Sequence, residues 1–295
     1  MKNPVKKVAA IHDLSGYGRA SLTVIIPILS TMGIQACPIP TSILSTHTGG
    51  FGKPSFVDFT KHMKDYIKHW EELDLEFDSI YSGFLGSTKQ IDIVADFISR
   101  FGDSSEFVVV DPVMGDDGKT YGPFDQEMVR RMKELVTHAD IITPNMTEAA
   151  FLLDEDYPLE MEKGKIKDYL LRLSEMGPEI VIITSLPFDQ SEEKTSVIAY
   201  NQNDQRFWQV DCDYVPTYFP GTGDVFASVI VGSMLQGDSL PLALDRAVQF
   251  TSTAIKTTYG YDYPNREGVL LEKVLDNLKA PVLNHSYKLF WTACL

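Results

Sequence analysis

Short apolar runs alternate with longer amphipathic segments along most of this chain, and this alternation restricts the fold more than any other feature. The runs are rich in β-branched residues and too short for helices, so we interpret them as buried strands. They cover residues 8–11, 34–38, 79–82, 107–110, 141–143 and 179–184. Apolar strands separated by helices are typical of a mostly parallel sheet with helices on both faces. The sequence therefore predicts an α/β fold, a three-layer α/β/α sandwich.

The segments between these strands predict the helices of the two outer layers. Helices are expected at residues 22–32, 56–73, 87–101, 163–176, 225–235, 240–258 and 268–278. Residues 195–201 and 206–211 instead predict a β-hairpin with its turn at Asn203 and Asp204. Because no linker rich in Pro, Gly and Ser divides the chain, we expect one domain over residues 1–283, followed by a C-terminal tail at 284–295.

The charge balance excludes some classes of partner. The chain has 26 Lys and Arg residues and 41 Asp and Glu residues, a formal net charge of −15 over 295 residues. Nucleic acids and anionic membranes attract basic residues, so neither is expected as a partner. A nucleotide site in such a chain needs a metal ion or local backbone amides. The three cysteines, Cys37, Cys212 and Cys294, lie far apart, which indicates a reducing compartment and predicts a cytoplasmic protein.

Polar or small residues follow five of the predicted strands, at the edge where a parallel sheet binds its ligands. These residues are His12 and Asp13, Ser82 and Gly83, Asp111, residues 143–145, and Thr184 and Ser185. Polar residues are common at strand ends, so each of them could simply terminate its strand. Because five strand ends at one edge carry them, we expect a ligand-binding cleft there.

The sequence Gly221-Thr222-Gly223-Asp224 precedes an apolar helix and is the segment most informative about chemistry. The first amides of a helix have no partners within it, and the helix dipole is positive at this end. Two glycines allow the backbone to approach a ligand closely, so the segment predicts an anion hole for a phosphate. Asp224 could take a proton from an attacking hydroxyl, or it could merely cap the helix. The chain has no Gly-Lys-Ser/Thr P-loop.

Several short motifs resemble those of pyridoxal kinases in the ribokinase-like superfamily, and they follow the family's order. Residues 221–224 are similar to the C-terminal signature of the superfamily, and residues 111–116 resemble the Asp-Pro-Val-x-Gly-Asp segment of its vitamin kinases. Further similarities lie at residues 45–49, 82–87, 139–148 and 176–185. The resemblance implies a ribokinase-like fold without the large lid domain of the sugar kinases. It also implies an ATP-dependent kinase that phosphorylates the 5′-hydroxymethyl group of a B6 vitamer: pyridoxal, pyridoxine or pyridoxamine.

The resemblance implies a role for each acidic residue near the transferred phosphate. Asp224 is then the catalytic base, and the three residues before it form the anion hole. Asp111 and Glu148 match acids that hold Mg²⁺ near the nucleotide phosphates, and Asp116 is a third candidate ligand. Mg²⁺ prefers carboxylates, water and phosphate oxygens. As alternatives, Asp111 and Asp116 could be turn residues, and Glu148 could be an ordinary exposed acid on a helix.

The resemblance also implies contacts to the nucleotide. Asn145, Thr184 and Thr222 resemble residues that contact the phosphates of ATP, beside Asp111 and Glu148. Asn145 could instead cap its helix, and Thr184 could simply end its strand. A second, monovalent cation such as K⁺ is common in the superfamily, but no residue of this sequence indicates one by itself.

The acceptor site implied by the resemblance draws on several segments. Its candidate residues are Asp13, Ser15, Tyr17, Thr48, Ser82, Phe84 and Asp224. Asp13 stands where pyridoxal kinases usually carry a serine that contacts the ring nitrogen. Either Asp13 takes that contact, which favours a protonated pyridine ring, or Ser15 supplies the hydroxyl. Phe84 replaces the usual tyrosine and keeps its stacking face. We interpret His12 and His47 as structural rather than catalytic.

These departures from the family pattern leave other functions open. A hydroxymethylpyrimidine kinase of thiamine synthesis uses a related substrate, and a non-catalytic vitamer-binding relative would have little reason to retain Asp224 with its glycines. A dinucleotide-dependent enzyme is not expected, because residues 14–19 lack the third glycine of the glycine-rich turn that binds dinucleotides.

Pyridoxal kinases usually form dimers, so the resemblance implies a homodimer, with the apolar residues around 51–59 as a candidate contact.

Overall fold

The structure, a computed structural model, describes residues 4–122, 124–158, 162–188, 194–282 and 285–291. Its strands are β1 (Lys7–Ser15), β2 (Gln35–Leu44), β3 (Phe56–Asp58), β4 (Ser79–Ser82), β5 (Phe107–Val110), β6 (Gly115–Asp116), β7 (Lys119–Thr120), β8 (Ile141–Ile142), β9 (Ile180–Phe188), β10 (Lys194–Asn201), β11 (Arg206–Asp213) and β12 (Tyr287–Leu289). Its α-helices are α1 (Leu22–Thr31), α2 (Thr60–Glu72), α3 (Thr88–Phe101), α4 (Gln126–Val136), α5 (Met146–Leu152), α6 (Lys163–Glu175), α7 (Thr222–Leu235) and α8 (Leu240–Tyr259). Short 3₁₀-helices lie at Gly102–Ser104, Asn265–Glu267, Leu271–Lys273 and Leu275–Lys279.

Ten of the described strands form one sheet in the order β12-β11-β10-β9-β8-β5-β4-β1-β2-β3. The strands from β9 to β2 in this order pair in parallel. The strand β3 at one edge and the strands β10, β11 and β12 at the other pair antiparallel to their neighbours. The expected mostly parallel sheet and the expected hairpin, now β10 and β11, are therefore confirmed.

Helices cover both faces of this sheet, as the apolar strands predicted. The helices α2 to α6 pack on one face, and the helices α1, α7 and α8 pack on the other. Successive residues of β1 alternate between the two layers: Ala9 and Ile11 face the first, while Val8 and Ala10 face the second. The three-layer α/β/α sandwich is thus confirmed. Within the described residues, no helix combines the length and the apolar character needed to cross a bilayer.

Two predicted helices are wrong in part or in full. Residues Phe56–Asp58 form the edge strand β3, because they pair with β2, and α2 begins only at Thr60. Residues 268–278 form 3₁₀ turns instead of an α-helix. There the N–H of Leu270 donates to the hydroxyl of Thr258 at 2.8 Å, so a contact with α8 replaces a bond within the segment. In both places long-range pairing overrides local helix propensity.

Several strands run further than predicted, and in two of them, β1 and β9, the extension changes where polar residues lie. The strand β1 continues through Ser15, so Asp13 lies inside it, at an irregularity in its pairing with β2. The strand β9 continues through Thr184 to Phe188 with an irregular register against β10. Bulges of this kind re-aim side chains and are common beside active sites.

The described part of the C-terminal segment lies on the body of the protein. The strand β12 pairs with β11, and Phe290 is buried. The carboxylate of Asp245, fully buried on α8, accepts hydrogen bonds from the N–H and the hydroxyl of Ser286, at 3.2 and 2.5 Å, and from Gln249 at 2.9 Å. The domain limits at residues 283 and 284 stay a prediction.

We expect Asp245→Ala to lower the free energy of unfolding by about 1–3 kcal/mol, because buried donors lose their acceptor. Urea denaturation followed by circular dichroism measures this. The matched control is Asp276→Ala, whose ion pair with Lys279 is exposed and is worth about 0–1 kcal/mol. Equal stabilities of the two variants would contradict a stabilising role for the buried carboxylate.

Candidate active site

The start of α7 has the geometry predicted for an anion hole. Gly221 precedes the helix with φ 82°, in the left-handed region that favours glycine. A Cβ at this position would lie 2.2 Å from the carbonyl oxygen of Arg19, so any other residue would push the two segments apart. The first intrahelical bond joins the N–H of Val225 to Gly221 at 3.0 Å. The amides of residues 222–224 therefore precede the helical ladder and are available to an anion.

Asp224 lies in the first turn of α7, and its carboxylate interacts outside its own helix. Its Oδ2 accepts a hydrogen bond from the N–H of Ser21 at 2.8 Å. Burial, with a smaller contribution from the charge of Asp13, raises the pKa of Asp224 to about 7, although the Ser21 N–H opposes the shift. The capping residue of α7 is Gly221, so the interpretation of Asp224 as a simple helix cap is wrong. A carboxyl group with this pKa suits a general base.

Asp111 and Glu148 are buried close to each other. Asp111 follows β5, and its N–H donates to the carbonyl oxygen of Ser82 at 2.9 Å. Burial first and the charge of Asp224 second raise the pKa of Asp111 to about 8. Burial and the charge of Asp111 raise the pKa of Glu148 well above its usual value. Glu148 is thus buried, and its interpretation as an ordinary exposed acid is wrong.

Glu148 is held by backbone amides at the start of α5. Its Oε1 accepts from the N–H of Met114 at 3.0 Å, and its Oε2 accepts from the N–H of Asn145 at 2.9 Å. The side chain of Asn145 accepts from the N–H of Glu148 at 3.0 Å, which completes a capping box, and donates to Gly115 at 2.8 Å. The capping role of Asn145 is therefore observed, and its contact with a phosphate stays a prediction.

The side chains of Asp111, Glu148 and Asp116 fit a metal ion that binds together with the phosphates of a nucleotide. Two buried carboxylates whose charges repel each other are stabilised by a cation between or beside them. Asp116 is half-buried, and its Oδ1 accepts from the N–H of Asp117 at 2.9 Å in the turn between β6 and β7. In the described part of the chain, no three His, Cys, Asp or Glu side chains are close enough to hold a metal alone. Water and phosphate oxygens would complete the shell of a Mg²⁺ ion here.

Thr184 lies beside the start of α5. Its N–H donates to Pro144 at 3.0 Å, and it forms an isolated bridge with Asn145. The next residue, Ser185, has φ 59°, which marks the irregularity in β9. The interpretation of Thr184 as the end of its strand is wrong. The fold brings it to the same edge as Asn145, where it was expected to contact the nucleotide.

The predicted acceptor residues Asp13 and Ser15 are in contact. Asp13 is buried, and its Oδ2 accepts from the hydroxyl of Ser15 at 3.2 Å. Its Oδ1 accepts from the hydroxyl of Ser21 at 2.5 Å. Burial raises the pKa of Asp13, and both hydroxyl groups lower it again in part. The choice between Asp13 and Ser15 as ring contact thus concerns a single hydrogen-bonded pair.

The other predicted acceptor residues differ in exposure. Ser82 is buried at the end of β4, and Phe84 packs edge-on against Phe124 with ring centroids 5.7 Å apart. Tyr17 and Thr48 are exposed. The ring of Tyr17 lies edge-on to that of Phe51, 5.7 Å away. The structure joins Asp13 and Asp224 through Ser21, with Ser15 bonded to Asp13, while a role for Tyr17 and Thr48 stays a prediction.

The two histidines serve the packing of this edge. His12 is fully buried, its pKa is lowered by burial to about 3, and its ring lies edge-on to that of Tyr81 at 4.3 Å. A Cβ on Gly83 would lie 2.4 Å from the His12 ring. The Nδ1 of His47 accepts from the N–H of Gly49 at 3.0 Å. The full burial of His12 agrees with its structural interpretation, which stays a prediction, and His47 shapes the loop that carries Thr48.

Comparisons with known proteins agree with this geometry. The family model for phosphomethylpyrimidine kinases matches residues 26–267. The chain belongs to the family of pyridoxal and phosphomethylpyrimidine kinases. It is a kinase of the ribokinase-like superfamily, as its motifs predicted.

Three relatives indicate how close the similarity is. A Bacteroides thetaiotaomicron protein assigned to the phosphomethylpyrimidine kinases, crystallised with pyridoxal, is 55% identical, with a TM-score of 0.93 over 97% of this chain and 99% of its own. Pyridoxal kinase from Lactobacillus plantarum is 30% identical, with a TM-score of 0.85 over 92% of this chain and 96% of its own. Pyridoxal kinase from Arabidopsis thaliana is 29% identical over 85% of this chain and 83% of its own length.

Sequence reasoning missed Ser21, which contacts both Asp13 and Asp224. A serine directly before an apolar helical segment is the signal of an N-cap, and that signal is present at Ser21. It predicts a local role only. The partners of Ser21 lie 8 and 203 residues away in the sequence, so only the fold reveals them.

We expect the kcat/KM of this kinase for MgATP to rise with pH through a midpoint near 7. The raised pKa of Asp224 means that its carboxyl group is protonated below pH 7 and cannot accept a proton. Steady-state rates between pH 5.5 and 9 measure the profile. Asp13→Asn should move the midpoint to lower pH, because the charge of Asp13 raises the pKa of Asp224. A profile flat across neutral pH would contradict the assignment, and Asp276→Asn is the control.

Proposed function

We propose that this kinase transfers the γ-phosphoryl group of ATP to the 5′-hydroxymethyl group of a B6 vitamer: pyridoxal, pyridoxine or pyridoxamine. The observation that carries this proposal is the carboxylate of Asp224 at the amide-lined start of α7. The relative crystallised with pyridoxal, 55% identical to this chain, supports the choice of acceptor. The half-buried Asp224 and its neighbouring glycines favour an enzyme over a non-catalytic vitamer-binding protein.

The proposed mechanism follows from the positions of the charged groups. Asp224 takes the proton of the acceptor hydroxyl as its oxygen forms a bond to the γ-phosphorus, and the bond from that phosphorus to the leaving oxygen of ADP breaks. The amides of residues 222–224 stabilise the charge on the transferred group. Asp111 and Glu148 would hold Mg²⁺, with Asp116 as a further candidate, and the ion supplies positive charge beside the phosphates. Dependence on a monovalent cation such as K⁺ stays an expectation.

The acceptor is proposed to bind with its ring nitrogen at Asp13. An ionised Asp13, which already accepts from two hydroxyl groups, would pair with a protonated pyridine nitrogen. Phe84 offers its ring as a stacking face. The pyrimidine of the second candidate function, a hydroxymethylpyrimidine kinase, has a less basic ring, so the charge of Asp13 favours the vitamer. The family model, named for phosphomethylpyrimidine kinases, is the observation that keeps the second candidate.

A substrate panel tests the proposed function directly. With ATP and Mg²⁺, we expect kcat/KM to be at least about tenfold higher for the best of the three vitamers than for hydroxymethylpyrimidine, a difference near 1.4 kcal/mol. Coupled measurement of ADP release gives the rates. A preference for the pyrimidine would establish the second candidate, and absence of transfer to every compound would overturn both.

We expect Asp224→Asn to lower kcat by roughly 10²–10⁴, the usual effect of losing a positioned base. The asparagine keeps the shape of the side chain and can still accept from Ser21, so ATP binding should survive. Calorimetric titration with MgATP checks binding, and ADP release checks turnover. Near-normal kcat in this variant would contradict the assignment of the base.

We also propose that the protein forms a homodimer in the cytoplasm. The edge strand β3 exposes Phe56 and Val57, each 53% accessible, beside the exposed Ile43 of β2. Apolar side chains on an open edge strand are a common site of association. The free thiols of Cys37 and Cys212 suit a reducing compartment.

Light scattering on the purified protein tests the dimer, and we expect twice the monomer mass of 33.1 kDa. The double substitution Phe56→Ser and Val57→Ser should shift the mass towards the monomer, because it removes the exposed apolar pair. Leu73→Ser, exposed on the body beyond α2, is the control and should leave the mass unchanged. A monomer mass for the unmodified protein would rule out the dimer.

A further inference from the structure

Ser21 has an unusual backbone conformation that its neighbours hold in place. Its φ is 54° and its ψ is −132°, a region that side-chain-bearing residues rarely adopt. Directly before it, the N–H of Ala20 donates to the hydroxyl of Thr23 at 3.3 Å. One residue earlier, the N–H of Arg19 donates to the carbonyl oxygen of Glu267 at 3.1 Å, and Gly221 packs against the Arg19 carbonyl. Strained residues persist where several contacts fix them, and they cluster at functional sites.

The hydroxyl of Ser21 does not do what serine usually does at a helix start. The carbonyl oxygen of Ser21 accepts from the N–H groups of Val24 and Ile25, at 2.9 and 3.0 Å, so this residue opens α1. A serine here normally accepts a hydrogen bond from the first turn. The side chain of Ser21 makes no such bond within α1 and instead donates to Oδ1 of Asp13 at 2.5 Å. The N-terminus of α1 therefore has no side-chain cap, and the hydroxyl of Ser21 is a hydrogen-bond donor to Asp13 instead.

The N–H of Ser21 has a separate partner. It donates to Oδ2 of Asp224 at 2.8 Å. With one oxygen held in this way, the carboxylate has a fixed orientation, and Oδ1 is the oxygen left to take the proton of the acceptor. One residue therefore contacts the acid proposed to bind the acceptor ring and the acid proposed to deprotonate its hydroxymethyl group.

We propose that Ser21 is a positioning residue for phosphoryl transfer, which orients Asp224 through its backbone N–H and Asp13 through its hydroxyl. This inference rests on the function proposed above. Because both acids are tied to the same residue, the distance between the site of ring recognition and the site of proton removal is fixed. An acceptor held by Asp13 then presents its hydroxymethyl group at a constant place relative to Asp224. Misplacement by about an ångström is enough to cost large factors in rate.

Ser21→Ala tests the role of the hydroxyl. It removes the donor to Asp13 and leaves the N–H that contacts Asp224. We expect KM for the vitamer to rise about tenfold, the effect of losing a hydrogen bond to a charged group, with kcat and KM for ATP within about twofold. The matched control is Ser30→Ala, exposed in the same helix, and it should change none of these constants. Equal loss in all constants, together with a lower unfolding temperature, would mean that Ser21 is merely structural.

Ser21→Gly tests the role of the backbone. Glycine keeps the N–H and adopts a φ of 54° and a ψ of −132° without the strain that a side chain imposes, so the donor to Asp224 should stay in place. We expect the same rise in KM for the vitamer as for Ser21→Ala, with kcat within about twofold of that variant. A kcat about tenfold or more below that of Ser21→Ala would overturn the claim that the contacts around residue 21, and not its side chain, hold the N–H on Asp224.

A double-mutant cycle separates action through Asp13 from any other effect. In an Asp13→Ser background, the hydroxyl of Ser21 has no carboxylate to hold, so Ser21→Ala should change KM for the vitamer by less than about twofold. A tenfold effect that persists in this background would overturn the proposed route.

Crystal structures of Ser21→Ala and the unmodified protein test the positioning without any turnover. We expect the Asp13 side chain to leave its orientation in the variant, while Asp224 keeps its contact with the residue 21 N–H. An unchanged Asp13 would contradict the proposal even if the enzyme used a different acceptor. Failure of the proposed function would appear in the unmodified protein as lack of transfer to any vitamer, whereas failure of this inference would appear in the variants while the unmodified protein still transfers phosphate.

Discussion

Three carboxylates, those of Asp111, Glu148 and Asp224, are buried or partly buried near the carboxyl edge of the parallel sheet. In the described part of the chain none of them has a Lys, Arg or His partner within 4 Å. Burial therefore raises the pKa of each group. The charge of Asp224 raises the pKa of Asp111 further, the charge of Asp111 raises that of Glu148, and the charge of Asp13 raises that of Asp224. An edge of this kind is unfavourable until a cation approaches it. In the proposed function, a nucleotide bound with Mg²⁺ would bring that positive charge together with its phosphates, so the buried acids would favour such a ligand.

Backbone groups, rather than basic side chains, hold this edge in place. Amides of Met114 and Asn145 hold Glu148, and the amide of Ser21 holds Asp224. Amides are fixed by the strands and helices around them, so they orient a carboxylate without neutralising it. Gly221 makes the arrangement possible, because its positive φ and its lack of a side chain allow α7 to start against the loop before α1.

Much of this architecture could be predicted from the sequence, because the information is local. Apolar strands such as Phe107–Val110 can be recognised from their residue composition, and the glycine-rich start of α7 predicts an anion hole. Errors occurred where distant contacts decide the structure. Phe56–Asp58 is a strand only because β2 is beside it, and the pairing of Ser21 with Asp13 and Asp224 depends on three segments meeting. Composition alone also could not reveal that Glu148 is buried.

A crystal structure with Mg²⁺, a non-hydrolysable ATP analogue and pyridoxine tests the central claim most directly. The account predicts the γ-phosphate within about 3 Å of the amides of residues 222–224, and the 5′-oxygen of the vitamer at a similar distance from the carboxylate of Asp224. The metal should lie on the side of Asp111 and Glu148. A γ-phosphate bound away from the start of α7, or a vitamer whose hydroxymethyl group points away from Asp224, would contradict it.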